Sequence, residues 1–467
     1  MFFKNYPMNF IRSTQLLIGS VMLAVFFTAC GPKDDILTPP ANLTSGYDSD
    51  VLFQWNELLL DIDRHAPGYR PPAASRAFAY IGLAAYEAAV PGMPDNNSFE
   101  TFFLGLNLPE ADLKKEYIWP VCVNAAYATM LKKLYPHIGE AYLFEILNLE
   151  KNIEDQYTTT VVGDESLERS KLFGESIANA IYGWSTTDDV GHEAYLNTNP
   201  ASYSPPTGTG LWEPTGPDFT PALFPYWGQV RTFAVKDGDM LGAPPIPYDE
   251  SPISQYYQQA KEVKSTVDNL SYEDKWIAEF WSDDIAGLTF EPAARWIAIA
   301  NQIVAAEKPT LDRGVELYAK LGMSMCDAAI IVWNTKYHYN VERPVSYIHR
   351  VLLDEDWKPV LDNPITGDEG ITPPFPAYPS GHSGFGGAAA PILAETFGSN
   401  YTMTDRCHED RSEFIGTPRL FQSFFDMAEE NAYSRIPLGV HFRMDCDEGL
   451  RLGYLAAKRV QEMPWKK

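Results

Sequence analysis

The 467-residue chain is poor in positive charge: 36 lysines and arginines stand against 62 aspartates and glutamates, a formal net charge of −26 at pH 7. Such a surface repels nucleic acid and anionic bilayers, which excludes a nucleic-acid partner and means that any anion site must be assembled locally. Cysteine is scarce, with five residues. The four beyond residue 30, Cys122, Cys326, Cys407 and Cys446, match no zinc spacing, and their positions name no disulfide pairing. Beyond residue 27 no run approaches the ~20 apolar residues of a membrane-spanning helix. There is no convincing alternation of strand type, no short repeat, and no binding motif for haem or flavin. "GHSGF" (381 to 385) lacks the last glycine and the preceding strand of a nucleophile elbow. The acidic groups His408-Glu409-Asp410 and Asp445, Asp447, Glu448 fit neither zinc nor an EF-hand loop, and read as solvated faces. What is present is a chain 45% hydrophobic and 13% aromatic, enough for a large buried core.

Residues 1 to 30 read as an export signal: Lys4 and Arg12 precede the apolar run "LLIGSVMLAVFF" (16 to 27). Phe27-Thr28-Ala29-Cys30 resembles the lipobox of bacterial lipoproteins, with phenylalanine where leucine is usual. "GPKDD" after Cys30 resembles the acidic export tags of Bacteroidetes surface lipoproteins. The expectation is a chain carried across the inner membrane and lipid-anchored at the outer membrane or cell surface. Residues 31 to 46 are Pro-rich and polar, and form a tether.

Helical periodicity follows at 51 to 62, 75 to 90, 118 to 135 and 170 to 184, defining an N-terminal helical region over 47 to 185. Residues 186 to 252 are rich in proline, glycine and aromatics, and predict a long wrapping loop pinned by Trp212 and Trp227. Helical spacing resumes from 253 to 467, including 272 to 282, 292 to 307, 312 to 338, 381 to 397, 418 to 433 and 441 to 462. The fold expected is all-α, two packed helical bundles with the site in the C-terminal one.

Three stretches of that C-terminal bundle carry chemistry. The 312 to 338 helix has an apolar stripe through Tyr318, Leu321, Met325, Ala329 and Trp333 that arrives at Lys336, a costly place for an ammonium without an anionic partner. Arg343 follows seven residues later, taken out of helical geometry by Pro344. "YPSGHSGFGGAAAPIL" (378 to 393) opens a helix whose N-terminus, at Ser380-Gly381-His382, offers free N–H groups to an anion, although Ser380 also suits an ordinary N-cap. In "SRIPLGVHFRMD" (434 to 445) a helix starting near His441 would put Asp445 one turn on, able to accept an imidazole N–H and leave the other ring nitrogen free. The Pro437 and Gly439 turn folds Arg435 back toward His441.

Taken together, K-x6-RP, PSGH and SR-x5-H-x3-D resemble the signature of the superfamily that joins type 2 phosphatidic acid phosphatases with vanadium-dependent haloperoxidases. The surrounding text at 327 to 348, 373 to 390 and 431 to 445 resembles the haloperoxidases, and "EFWSDDIAGLTFEPAARW" (279 to 296) does so more weakly. The resemblance implies vanadate as cofactor, His441 as its axial ligand, and Lys336, Arg343, Ser380, Gly381 and Arg435 on its oxygens. It implies His382 as acid–base group, Asp445 as the orienter of His441, and Trp333 and Phe375 as pocket lining. The implied partners are hydrogen peroxide, a halide and a small organic acceptor, giving hypohalous acid or its equivalent. Two other readings stay open: an acid phosphatase acting through a phosphohistidine at His441, and a surface lipoprotein that binds without catalysis.

Overall fold

The computed structural model describes residues 42–158 and 165–467; the expected export signal, and the tether up to residue 41, lie outside the described residues. The regular secondary structure of the described residues is helical except for one pair of short strands. Its helices are α1 (Asp50–His65), α2 (Pro71–Ala89), α3 (Trp119–Leu134), α4 (Glu140–Gln156), α5 (Ser166–Ser185), α6 (Gln255–Asp268) and α7 (Tyr272–Phe280). They continue with α8 (Pro292–Glu307), α9 (Leu311–Tyr339), α10 (Pro344–Val351), α11 (Gly381–Phe397), α12 (Phe424–Tyr433) and α13 (Arg443–Gln461). Strands β1 (Met403–Asp405) and β2 (Arg419–Phe421) pair antiparallel between α11 and α12. No helix among the described residues is long and apolar enough to cross a membrane.

One hydrophobic core runs from Val51 to Trp465 and takes in both helical regions. Its axis is the pair α2 and α9. Every residue of α2 is buried: the helix is alanine-rich, its charged Arg76 and Glu87 are met by Asp188 and the Phe99 N–H, and proline at its first position pre-sets the opening turn. Gly82 of α2 and Gly322 of α9 let the two backbones touch: a Cβ on Gly82 would lie 2.8 Å from the Tyr318 carbonyl oxygen, and one on Gly322 would lie 2.7 Å from that of Phe78. Helix α9 ends where Asn340 turns left-handed, at φ +50°. Pro344 then opens α10 with Arg343 extended just before it.

The segment 186 to 252 is held by side chains of α9 and α13. Asp327 accepts from the N–H groups of Phe233, Ala234 and Val235 at 2.7, 2.7 and 2.8 Å. Thr335 accepts from Gly242 at 2.9 Å and Glu448 from Ala243 at 2.7 Å. Trp212 and Trp227 are buried beneath it. The four cysteines at 122, 326, 407 and 446 are free thiols.

Two details depart from the sequence reading. The stretch 418 to 433 is not helical throughout: its start is β2, and Ser423 caps α12 by accepting from the Asp426 N–H. Helix α13 begins at Arg443 and not near His441, because Phe442 is extended at φ −78°, ψ 161°.

Candidate active site

Three connections converge on one buried point. The last full turn of α9 delivers Lys336 and the extended residue before α10 delivers Arg343. The cap of α11 delivers Ser380, Gly381 and His382, while the turn between α12 and α13 delivers Arg435 and His441. All are buried.

The imidazole at the base is fixed from both sides. Asp445 Oδ2 lies 3.0 Å from His441 Nδ1 and also accepts from the Phe442 N–H at 2.9 Å. Asp445 thus caps the first turn of α13 and takes the proton on Nδ1. On the far side Arg343 Nη1 lies 3.2 Å from His441 Nε2. A guanidinium only donates, so Nε2 is the acceptor and the ring is neutral. Burial, then Arg343 and Lys336, hold its pKa well below 6.5.

The cations around it are tied mainly to carbonyls. Lys336 Nζ donates to the oxygens of Pro376 and Ala377 at 2.8 and 3.0 Å. Arg343 donates to those of Phe375, Val440 and Pro373 at 3.0, 2.8 and 3.1 Å. Phe375 lies under both, its ring centroid 4.9 Å from Lys336 Nζ and 5.1 Å from Arg343 Cζ. Trp333 packs against Phe375 with centroids 5.1 Å apart, and its ring would meet a Cβ on Gly381 at 3.3 Å. Glycine is therefore what lets the backbone N–H of residue 381 stand beside the indole. Ser380 caps α11, its hydroxyl oxygen accepting from the Ser383 N–H at 3.3 Å. Its own N–H donates to the Asp445 carbonyl at 2.8 Å, locking α11 to α13.

Arg435 is the one cup cation with a carboxylate: Nη2 reaches Asp284 at 2.6 Å, and Nη1 donates to the Trp281 and Ser282 oxygens at 3.2 and 3.3 Å. His382 Nε2 donates to the same Ser282 oxygen at 3.1 Å and stands 3.9 Å from Asp284. Burial, then Arg435, lowers its pKa to about 4. The turn at 281 to 284 was not recognised as part of the site from sequence. The "WSDDIAG" segment carried its only signal, and nothing in the text told which aspartate would meet an arginine so far along the chain.

The cup carries surplus positive charge. Among the described residues neither Lys336 nor Arg343 forms an ion pair with a carboxylate, and the buried donor Arg435 Nε has no hydrogen-bond partner. Burial, and then the neighbouring Arg343, pushes the Lys336 ammonium well below its ordinary pKa. Burial lowers Arg343 to about 9, still protonated at neutral pH, and raises Asp445 to about 7. A bound oxyanion would reverse the strain on both cations. The donor set fits such a group: three cations, a hydroxyl, a helix N-terminus, and a neutral imidazole with its lone pair on Nε2.

Residues 316–465 match the model of the VCPO second helical-bundle domain. Vanadium chloroperoxidase from Curvularia inaequalis is 23% identical over 511 residues, covering 89% of this chain and 82% of that protein. Among solved structures, a bacterial vanadium-dependent iodoperoxidase superposes with a TM-score of 0.75 at 28% identity, over 89% of this chain and 96% of that one. A bacterial vanadium-dependent chloroperoxidase in its holo form gives 0.65 at 14% identity, over 84% and 91%, a likeness of fold.

Proposed function

We infer that this chain, a member of the vanadium haloperoxidase superfamily, is a vanadate-dependent haloperoxidase that uses hydrogen peroxide to oxidise a halide to hypohalous acid. The balance is halide, peroxide and one proton to hypohalous acid and water. The observation that carries the reading is the neutral His441, its unprotonated Nε2 turned to Arg343, beside two buried cations that form no ion pair with a carboxylate among the described residues.

In this reading His441 Nε2 would hold the metal, and Asp445 keeps the ring's proton on Nδ1. Lys336, Arg343, Arg435, the Ser380 hydroxyl and the Gly381 N–H hold the oxyanion's oxygens. Vanadate, when bound, would supply Lewis-acid activation of peroxide without a change in its own oxidation state. Lys336 would supply positive charge beside the oxidant, and the aromatic wall of Trp333 and Phe375 would keep water out of the cup. His382 exchanges protons with peroxide as it enters and with the product as it leaves. The small organic acceptor is then halogenated by the hypohalous acid. We assign this chemistry to residues 253 to 467.

The same geometry favours a second reading. A neutral, oriented imidazole in a phosphate-sized cationic cup is also a nucleophile for phosphoryl transfer, with His382 protonating the leaving alcohol. One experiment separates them. The purified protein is loaded with orthovanadate and assayed for peroxide-dependent halogenation of a dione with chloride, bromide and iodide, and the vanadium-free form is assayed on a phosphate monoester. Halogenation with at least one halide is expected. Efficient ester hydrolysis with no halogenation would make the protein a phosphatase.

We also propose that the enzyme is exported and anchored through lipid on Cys30, a reading supported by residues 1 to 30. Metabolic labelling with a fatty acid should mark the full-length chain and be lost in Cys30→Ala; equal labelling of both would refute it.

A further inference from the structure

Directly behind the cup lies a second buried polar group, and its importance rests on the reading of Arg435 and His382 given above. Asp283, fully buried, has φ +35°, a left-handed conformation that a non-glycine residue keeps only where the surroundings enforce it. That conformation belongs to the turn whose Trp281 and Ser282 carbonyls and Asp284 carboxylate all converge on Arg435, and whose Ser282 carbonyl also receives His382.

The Asp283 carboxylate makes its closest side-chain contacts on the other side of the turn, while remaining near enough to His382 and Arg435 to act on their charge. His408 Nε2 is 3.4 Å from its Oδ1, and Arg295 Nη1 is 3.9 Å from the same oxygen. Arg295 is in turn bonded to Asp405 at 2.8 Å. The rings of Phe280, Phe290 and Phe414 surround His408 with centroids at 5.8, 5.6 and 4.9 Å. Both oxygens of Asp283, both ring nitrogens of His408, and Nε and Nη1 of Arg295 lack a hydrogen-bond partner among the described residues. With six such atoms enclosed in an aromatic shell, the charged and polar groups of Asp283, His408 and Arg295 have chiefly one another to offset their burial. If packing were the only requirement at position 408, a fourth phenylalanine would serve it better than an imidazole facing a buried carboxylate.

We propose that Asp283 and His408 are positioning residues: paired directly with each other at 3.4 Å and, at 3.9 Å, with Arg295, they lock the turn from Ser282 to Asp284 and so set the orientation of Arg435 and His382. The catalytic His–Asp pair at 441 and 445 would then have a counterpart behind the opposite wall of the cup, one that touches no reacting atom and acts through the turn and through the charge of Asp283 beside His382.

The test uses three variants of the full chain, Asp283→Asn, His408→Phe and His408→Gln, each below its own melting temperature. The first readout is the ¹⁵N signal of the His382 ring in vanadate-free protein, and the second is equilibrium affinity for vanadate. Asp283→Asn and His408→Phe should shift the His382 signal and weaken vanadate binding about tenfold, as loss of a supporting partner typically does. His408→Gln, which keeps a hydrogen-bonding group, should restore both. If the Asn and Phe variants keep the wild-type His382 signal, or if Phe performs as well as Gln, the proposal is wrong. Failure of the wild type to bind vanadate would overturn the functional reading instead, and the His382 signal would still decide this one.

Discussion

Arg295 and Arg343 are both fully buried, and each has aromatic rings beside its guanidinium, Phe280 at 4.5 Å from Arg295 and Phe375 at 5.1 Å from Arg343. They differ in what neutralises them. Arg295 has the Asp405 carboxylate at 2.8 Å and Asp283 nearby, and although burial works against it, Asp405 raises its pKa. Arg343 has three carbonyls and an imidazole nitrogen, and burial lowers its pKa. One arginine belongs to a closed ion pair, and the other holds its charge in reserve for something that arrives later. A buried cation without its own carboxylate marks the site more sharply than the shape of any cavity does.

The largest way to break this contrast is Arg295→Met. It strands Asp405 in the interior and should cost about 4 kcal/mol of folding stability, read as a fall in the urea midpoint at pH 7. Arg343→Met leaves no carboxylate stranded, so its folding loss should be the smaller of the two. Its effect should fall on the ligand: two lost charge-assisted bonds weaken vanadate binding about 100-fold, measured by calorimetry. A reversed ranking in folding loss would mean that the cup is not strained by its own charge.

The third prediction concerns pH. His382 has a folded pKa of about 4 against an ordinary 6.5, so between those values the unfolded chain binds a proton that the folded one refuses. Stability of the vanadate-free protein should therefore fall as pH drops from about 6.5 toward 4. His382→Gln removes this contribution, and its urea midpoint should decline less than that of the wild type over that interval. Parallel declines would mean that the imidazole is not held neutral by the cup.

Much of the cup was legible because its parts violate local rules. Lys336 ends an apolar helical stripe, Pro344 fixes the backbone of Arg343, and the spacing of His441 and Asp445 leaves few ways for them to miss each other. The start of α13 was misplaced because the pairing works without helix: extended Phe442 lets the Asp445 side chain reach back to His441 from the third helical position. Asp284 was not legible, since its value lies in Arg435, which only the fold brings near. Nor was Asp327, which reads as one polar residue in an apolar helix yet holds three N–H groups of the long loop. Helix α4 escaped notice for the opposite reason: only Ile146, Glu150 and Ile153 are buried, too thin a stripe to stand out. Patterns along the chain disclose what neighbours do to one another, whereas pairings across it become visible only once the helices are stacked.

The shared oxygen of Asp445 has a further implication for how such a site can fail. Because one atom both seeds the first turn of α13 and dictates which imidazole nitrogen is bare, fraying of that helix end and loss of metal affinity would be the same event. Heating or a mild denaturant should then release vanadate before the helices come apart, and a ligand seated on His441 should in return stiffen a helix it never touches.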